Sequence, residues 1–343
     1  MTAPVKTVVG VILISVIAIN CSSKKTDKGE QREAFKSGLV FDVGGRGDKS
    51  FNDAAFRGVD LAKEKFGIDY EYIEPGEGAD REAALRQLSS QSDVAIIIGA
   101  GFIFTDDITA VAKEFPNKKY VCIDYSVDTS KSIPENLAAI TFREEEGSFL
   151  VGALAAMVSK TGVIGFVGGM DSPLIRKFQK GYENGAKYVR PDIKVIVGYA
   201  GLTGEGFKNP AKGKELALSQ YNQNADVIYH ASGITGLGVF EAAREKSRLA
   251  IGVDMNQENE AKLPDGKTLV LTSMVKVVDE VVLNEIAAVK NGTFKGGHKV
   301  LGLAEKGVDY IYNDVNRYLI PDSVHAVVEE LRRKLIQGEI KPM

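Results

Sequence analysis

Leu39-Val-Phe-Asp-Val-Gly-Gly-Arg-Gly-Asp-Lys-Ser-Phe-Asn-Asp-Ala-Ala-Phe-Arg-Gly58 is the stretch from which the fold can be read. Leu39 to Val43 has the character of a short buried strand. Gly44, Gly45 and Gly47 permit a tight loop, because glycine accepts backbone angles closed to other residues. Ser50 or Asn52 can cap the helix that follows, where Ala55, Val59, Ala62 and Phe66 recur at helical spacing. Strand, glycine loop and helix make the first half of a βαβ unit. In open parallel sheets, ligands bind beyond the carboxyl ends of the strands, where this loop lies.

The loop does not suit a phosphate. Its spacing is neither GxGxxG in register nor GxxxxGK[ST], and it carries Asp42, Asp48 and Asp53. Carboxylates repel phosphate but accept hydrogen bonds from a neutral, donor-rich ligand. Phe51 offers a flat face for stacking. The same residues also suit a helix cap beside a core phenylalanine, and the loop alone does not separate the two readings.

Outward from this stretch, short apolar runs alternate with amphipathic segments. Runs at 70–73, 93–99, 119–125 and 137–142 form one series, and 163–168, 194–199, 226–231 and 249–253 form another. Such spacing predicts parallel strands buried on both faces, in two lobes of similar build. A helix near 144–159 lies between the series. After Asp254 the pattern predicts a strand at 268–275, a helix at 276–290, a hairpin over 300–312 and a closing helix at 321–337. The expectation is an α/β protein with two Rossmann-like lobes of parallel sheet, joined at one hinge of several strands. Lobe 1 is expected over residues 37–142 and about 256–290, lobe 2 over 143–255 and about 291–343.

Residues after strand ends are the candidates for binding. They are Asp42 and the Phe51 loop, Gly99 to Phe102, Asp124-Tyr125, Gly168 to Asp171, Gly201 to Phe207, Ser232-Gly233, Asp254 and Lys276. An aspartate after a strand is often only a turn former. The distribution of the set over both series is what points to one shared cleft.

The ends and composition bound the function. An apolar run from Val8 to Ile19 follows one cation and precedes Asn20-Cys21. It is short for a membrane span, which needs about 20 apolar residues, and matches a secretory leader. Cys21 directly after the run resembles a bacterial lipoprotein signal. Residues 1–20 are therefore expected to be the signal peptide, Cys21 the lipidated residue and 21–36 a polar tether. Cys122, the only other cysteine, lies in an apolar run and reads as a small core residue. The net charge of −3 supplies no basic field for nucleic acid.

Val43-Gly-Gly-Arg-Gly-Asp-Lys-Ser-Phe-Asn-Asp-Ala-Ala-Phe-Arg-Gly58 resembles the opening motif of the basic membrane protein family of bacterial lipoproteins, purine nucleoside receptor A type. Phe142 to Ala156, Gly165 to Met170, Phe207 to Lys214, Ile228 to Phe240 and Ile251 to Asp254 carry the resemblance along the chain. It implies a periplasmic-binding-protein type I fold that closes on a purine nucleoside and feeds an ABC permease and its ATPase. It places a ring-stacking pair on Phe51 and Phe207, a base-binding acid on Asp42, and a ribose-binding acid and lysine on Asp254 and Lys276. A further pocket acid falls on Asp124, with Asn52 and Gly233 beside it. The expected protein is a monomer, lipid-anchored at the cell membrane and facing periplasm or exterior, with no cofactor, no metal and no catalytic residue.

Three rivals share these features, one of them an exposed surface lipoprotein that engages host molecules, for which the sequence supplies no readable motif. A nucleoside-processing enzyme would also recognise ribose and base, but the acids are scattered, His230, His298 and His325 are isolated, and there is neither Gly-x-Ser-x-Gly nor HExxH. A binding protein for a sugar or another small ligand would share the fold, and fold alone does not set function.

Overall fold

The computed structural model describes residues 1–4, 35–75 and 80–343. Apart from residues 1–4, 35 and 36, the expected leader, Cys21 and the tether lie outside the described residues.

Strands β1 (Lys36–Val40), β2 (Tyr70–Ile73), β3 (Val94–Ala100), β4 (Lys119–Ile123) and β5 (Leu137–Phe142) form the first series. The second is β6 (Val163–Met170), β7 (Lys194–Gly201), β8 (Val227–Ala231), β9 (Leu249–Asp254) and β10 (Val270–Lys276), followed by β11 (Gly297–Leu301) and β12 (Val308–Tyr310). Helices α1 (Phe51–Phe66), α2 (Asp80–Ser90) and α3 (Thr105–Glu114) connect the first series, and α4 (Glu144–Val158) leads out of it. Helices α5 (Pro173–Val189), α6 (Pro210–Asn222) and α7 (Thr235–Lys246) connect the second, with α8 (Val278–Asn291) and α9 (Asp322–Ile336) after β10 and β12.

The strands form two sheets of one plan, β11-β5-β4-β3-β1-β2 and β12-β10-β9-β8-β6-β7. Among the described residues, every pairing between these strands is parallel except that of β12 on β10. Runs such as Val-Ala-Ile-Ile-Ile in β3 pair on both sides and lie under helices on both faces, so no alternation of polar residues is needed. In each sheet the order reverses at the first strand of its series. That is the switch point where crevices open at the carboxyl ends.

The exchange between lobes differs from the expectation. Val270–Lys276 pairs with β9 in the second sheet, and Gly297–Leu301 returns to pair with β5 in the first. The expected hairpin over 300–312 does not form, because its two arms, β11 and β12, belong to different sheets. Apolar periodicity marks a segment as a strand but not which sheet edge receives it. Helix α8 packs on α1 of the first lobe, where a Cβ on Gly58 would overlap Val282. The chain therefore passes between lobes near residues 143, 277 and 302–307.

Candidate functional site

An empty volume of about 510 Å³ lies between the lobes at the strand ends. All eight predicted residues line it: Asp42, Phe51, Asn52 and Asp124 from the first lobe, and Phe207, Gly233, Asp254 and Lys276 from the second.

The loop after β1 is built by its own polar groups. Asp48, not Ser50 or Asn52, caps α1: its carboxylate accepts from the backbone N–H groups of Ser50, Asn52 and Asp53 at 2.8–3.0 Å. Asp53 holds the glycine turn by accepting from the N–H of Gly47 and Lys49. Asn52 Oδ1 accepts from the N–H of Asp42 at 3.0 Å, which anchors the strand end to the helix start. The Asp42 carboxylate lies against Gly101, where any Cβ would overlap it. Phe51 is left at the head of α1, partly buried and on the cavity wall.

Opposite, the Phe207 ring lies against Gly169, whose missing side chain makes the space. Gly233 has φ +55, a left-handed turn that brings β8 into α7 beside the Phe207 carbonyl.

Asp124 and Asp254 occupy equivalent positions at the carboxyl end of the fourth strand of each series, and both have φ 63. Left-handed non-glycine residues are uncommon and concentrate at functional sites. Here the turn sends two carboxylates from opposite lobes to one lysine. Lys276 is 2 % exposed; its Nζ donates to Asp124 Oδ2 at 2.7 Å and lies 3.9 Å from both Asp254 Oδ1 and Glu144 Oε1. It also sits 4.9 Å from the ring centre of Phe51 and 5.5 Å from that of Phe178. Ser50 crosses the cleft to donate to Asp254 Oδ2 at 2.6 Å. Asp124 Oδ1 is buried with no hydrogen-bond partner among the described residues, so it is an acceptor open to a ligand on the wall.

Burial sets the protonation of the acids. It pushes Asp42 up to about 7, against the hydrogen bond from the Val43 N–H, and Asp48 to about 6 against its three N–H donors. Burial raises Glu144 to about 7 and also raises Asp254, with Lys276 pulling both back. Burial opposes the charge on Lys276, but Asp124, Asp254 and Glu144 outweigh it, and the lysine titrates above its ordinary value.

Phe102, Leu174, Ile175, Phe178 and Ser232 also line the cavity, as does Asp48. Phe102 and Ser232 stood among the strand-end positions but had no feature to single them out. Leu174, Ile175 and Phe178 lie in α5 and show only as the apolar face of an amphipathic helix. Glu144, the first residue of α4, is fully buried against Lys276 and Lys177 and was not among the candidates. No cluster that could hold a metal ion occurs among the described residues, and none of their helices is long and apolar enough to cross a membrane.

A solute-binding protein of an ABC transporter system from Aeropyrum pernix K1 superposes with a TM-score of 0.80 and 31 % identity, covering 90 % of this chain and 92 % of that one. A second such protein, from Conexibacter woesei, shares the fold at a TM-score of 0.70 and 23 % identity, over 90 % and 98 % of the two chains. Two similar lobes around a lined cleft are the build shared with these solute-binding proteins. The chain belongs to the Bmp family, described as ABC transporter substrate-binding protein PnrA-like, which matches residues 35–341. Basic membrane protein A of Borreliella burgdorferi is 35 % identical over 335 residues, 96 % of this chain and 93 % of that protein. An uncharacterized lipoprotein of Pyrococcus abyssi is 34 % identical over 356 residues, 96 % and 85 % of the two.

Proposed function

We propose that this substrate-binding protein captures purine nucleosides (inosine, guanosine or adenosine) between its lobes and delivers them to the permease and ATPase of an ABC importer. It works as a monomer held to the membrane by lipid on Cys21, and it does not transform its ligand. The observation that carries the reading is the cavity wall itself, which combines phenylalanines from both lobes with four aspartates and one lysine among its described residues.

Phe51 and Phe207 suit a stacked base, at about 1–3 kcal/mol per ring. Asp42, ionised, accepts from the N–H edge of a purine. Asp254 accepts from ribose hydroxyls in charge-assisted bonds, while Lys276 offsets its charge and donates to a ribose oxygen. One cation among so many acids disfavours phosphate, so nucleotides are refused. The family and lipoprotein relatives support the transport and membrane parts of the reading.

Mass spectrometry of the supernatant from denatured, freshly purified protein tests the ligand class, followed by calorimetric titration with inosine and inosine monophosphate. Retained or titrated nucleoside with no binding of the monophosphate is the expected result. A retained sugar, or equal binding of the monophosphate, would overturn it. Release of hypoxanthine from inosine on incubation would establish catalysis instead. Cys21→Ser should abolish incorporation of labelled fatty acid; unchanged incorporation would remove the anchor assignment.

A further inference from the structure

We propose that Ser232 presents a hydrogen-bond acceptor, and not a donor, to the ligand, because a buried relay through Gln257 and His230 commits its hydroxyl proton inward. It makes Ser232 a specificity-determining residue that selects ligands carrying an N–H or O–H at that point of the wall.

The relay starts at two backbone groups. Gln257 Oε1 accepts from the N–H of Val253 at 2.8 Å, and Gln257 Nε2 donates to the carbonyl of Lys49 at 2.9 Å. Turning the amide over would set its NH₂ against an N–H and its oxygen against a C=O, so both contacts would become repulsive. The amide orientation is therefore dictated from both sides. One of those sides is the opposite lobe, at the loop that leads to Phe51.

Gln257 Oε1 also lies 3.1 Å from His230 Nε2, and an amide oxygen can only accept. Nε2 must then carry the proton. His230 is fully buried, and that burial lowers its titration to about 4, so at neutral pH the ring holds one proton and Nδ1 is bare. Phe240 stands edge-on to the ring with centres 5.0 Å apart, and the ring lies so close to Gly236 that a Cβ there would overlap it. Ser232 Oγ lies 3.3 Å from Nδ1 and is the group that donates to it. A hydroxyl has one proton and two lone pairs. With the proton spent on His230, Ser232 offers the cavity it lines only lone pairs.

The inference needs the nucleoside reading only for its choice of probes, and its test has two arms. Nitrogen-15 NMR of the intact, histidine-labelled protein, assigned with His298→Gln and His325→Gln, reads the His230 proton directly. A pyrrole-type Nε2 and pyridine-type Nδ1, unchanged from pH 5.5 to 8.5 and on adding inosine, are expected. A protonated Nδ1, or an imidazolium at pH 7, would overturn the relay.

Binding of Ser232→Ala to inosine and its analogues reads the consequence. The variant should lose about 2- to 13-fold in affinity, the range of one net hydrogen bond. The loss should vanish for one analogue deprived of a single donor, 1-methylinosine or an inosine with one ribose hydroxyl replaced by fluorine. It should persist for 7-deazainosine, which lacks an acceptor. A loss that vanishes only for the acceptor-deleted analogue, or for no analogue, would overturn the assignment. If the native protein binds none of these nucleosides, the nucleoside reading falls, while the NMR arm still decides where the proton sits.

Discussion

Replacing Lys276 with methionine keeps most of the side-chain volume and removes the one charge that three buried carboxylates share. The distances of 2.7, 3.9 and 3.9 Å to Asp124, Asp254 and Glu144 correspond to roughly 6, 4 and 4 kcal/mol of attraction at an effective dielectric constant near 20. Desolvation of the buried groups cancels much of that, and deleting one partner of a buried pair typically costs about 3–5 kcal/mol. The loss should depend on pH in a stated direction. Glu144, at about 7, and Asp254, also raised, sit above their values in the unfolded chain even with Lys276 present, so between those values the folded state binds the extra protons. Their contribution to stability therefore falls as pH rises. Without the lysine both go higher, and the penalty extends further up the pH scale. Urea unfolding of the ligand-free protein at pH 5 and pH 8 should show the variant destabilised by about 3–5 kcal/mol at pH 8 and by clearly less at pH 5. Adding Asp124→Asn should restore part of the loss. Equal destabilisation at both pH values, or none at pH 8, would refute the charge-sharing account.

Phe51→Ala should lower nucleoside affinity by about 5- to 150-fold, the equivalent of 1–3 kcal/mol of stacking, with the unliganded melting temperature nearly unchanged. A loss of about 3–5 kcal/mol in stability, with normal binding by the folded fraction, would make it a core residue. A purine N–H should bind the ionised form of Asp42, whose titration near 7 predicts an affinity about tenfold lower at pH 6 than at pH 8. Calorimetry should find that dependence gone in Asp42→Asn; its survival would exclude Asp42 as its source. Ser50→Ala removes a 2.6 Å bond across the cleft to Asp254, of a kind worth about 1.5–3 kcal/mol. Small-angle scattering of the ligand-free variant should give a larger radius of gyration, and an unchanged profile would show that this bond does not hold the lobes together.

The stretch from Leu39 to Gly58 shows how much of the site was legible in one dimension. A strand end followed by glycines and a helix start can be recognised from local rules, because backbone freedom and apolar spacing are local properties. The rule that ligands sit beyond strand ends then marked Asp42, Phe51, Asp124, Asp254 and Lys276 as candidates, and the fold brings them onto one cavity. The cap on α1 was legible only as a choice of polar residues. Asp48 takes that role because three N–H groups converge on it, a matter of loop geometry that no spacing reveals. Phe178 joins the wall from the middle of α5, where its sequence context is that of any buried helical residue.

By itself the sequence determined the two series of buried parallel strands, the positions of their carboxyl ends and the mixture of rings and acids placed there. Those properties follow from residue type and period, which need no knowledge of distant partners. Only the tertiary structure decided that β10 stays in the second sheet while β11 returns to the first, since a buried apolar run can extend either sheet. It also decided that Glu144 faces Lys276, and that His230, Gln257 and Lys49 form one chain of hydrogen bonds. Charge and hydrogen-bond polarity in a buried site depend on groups far apart in the chain, within a few ångströms and out of water. Those distances exist only once both lobes are folded and brought together.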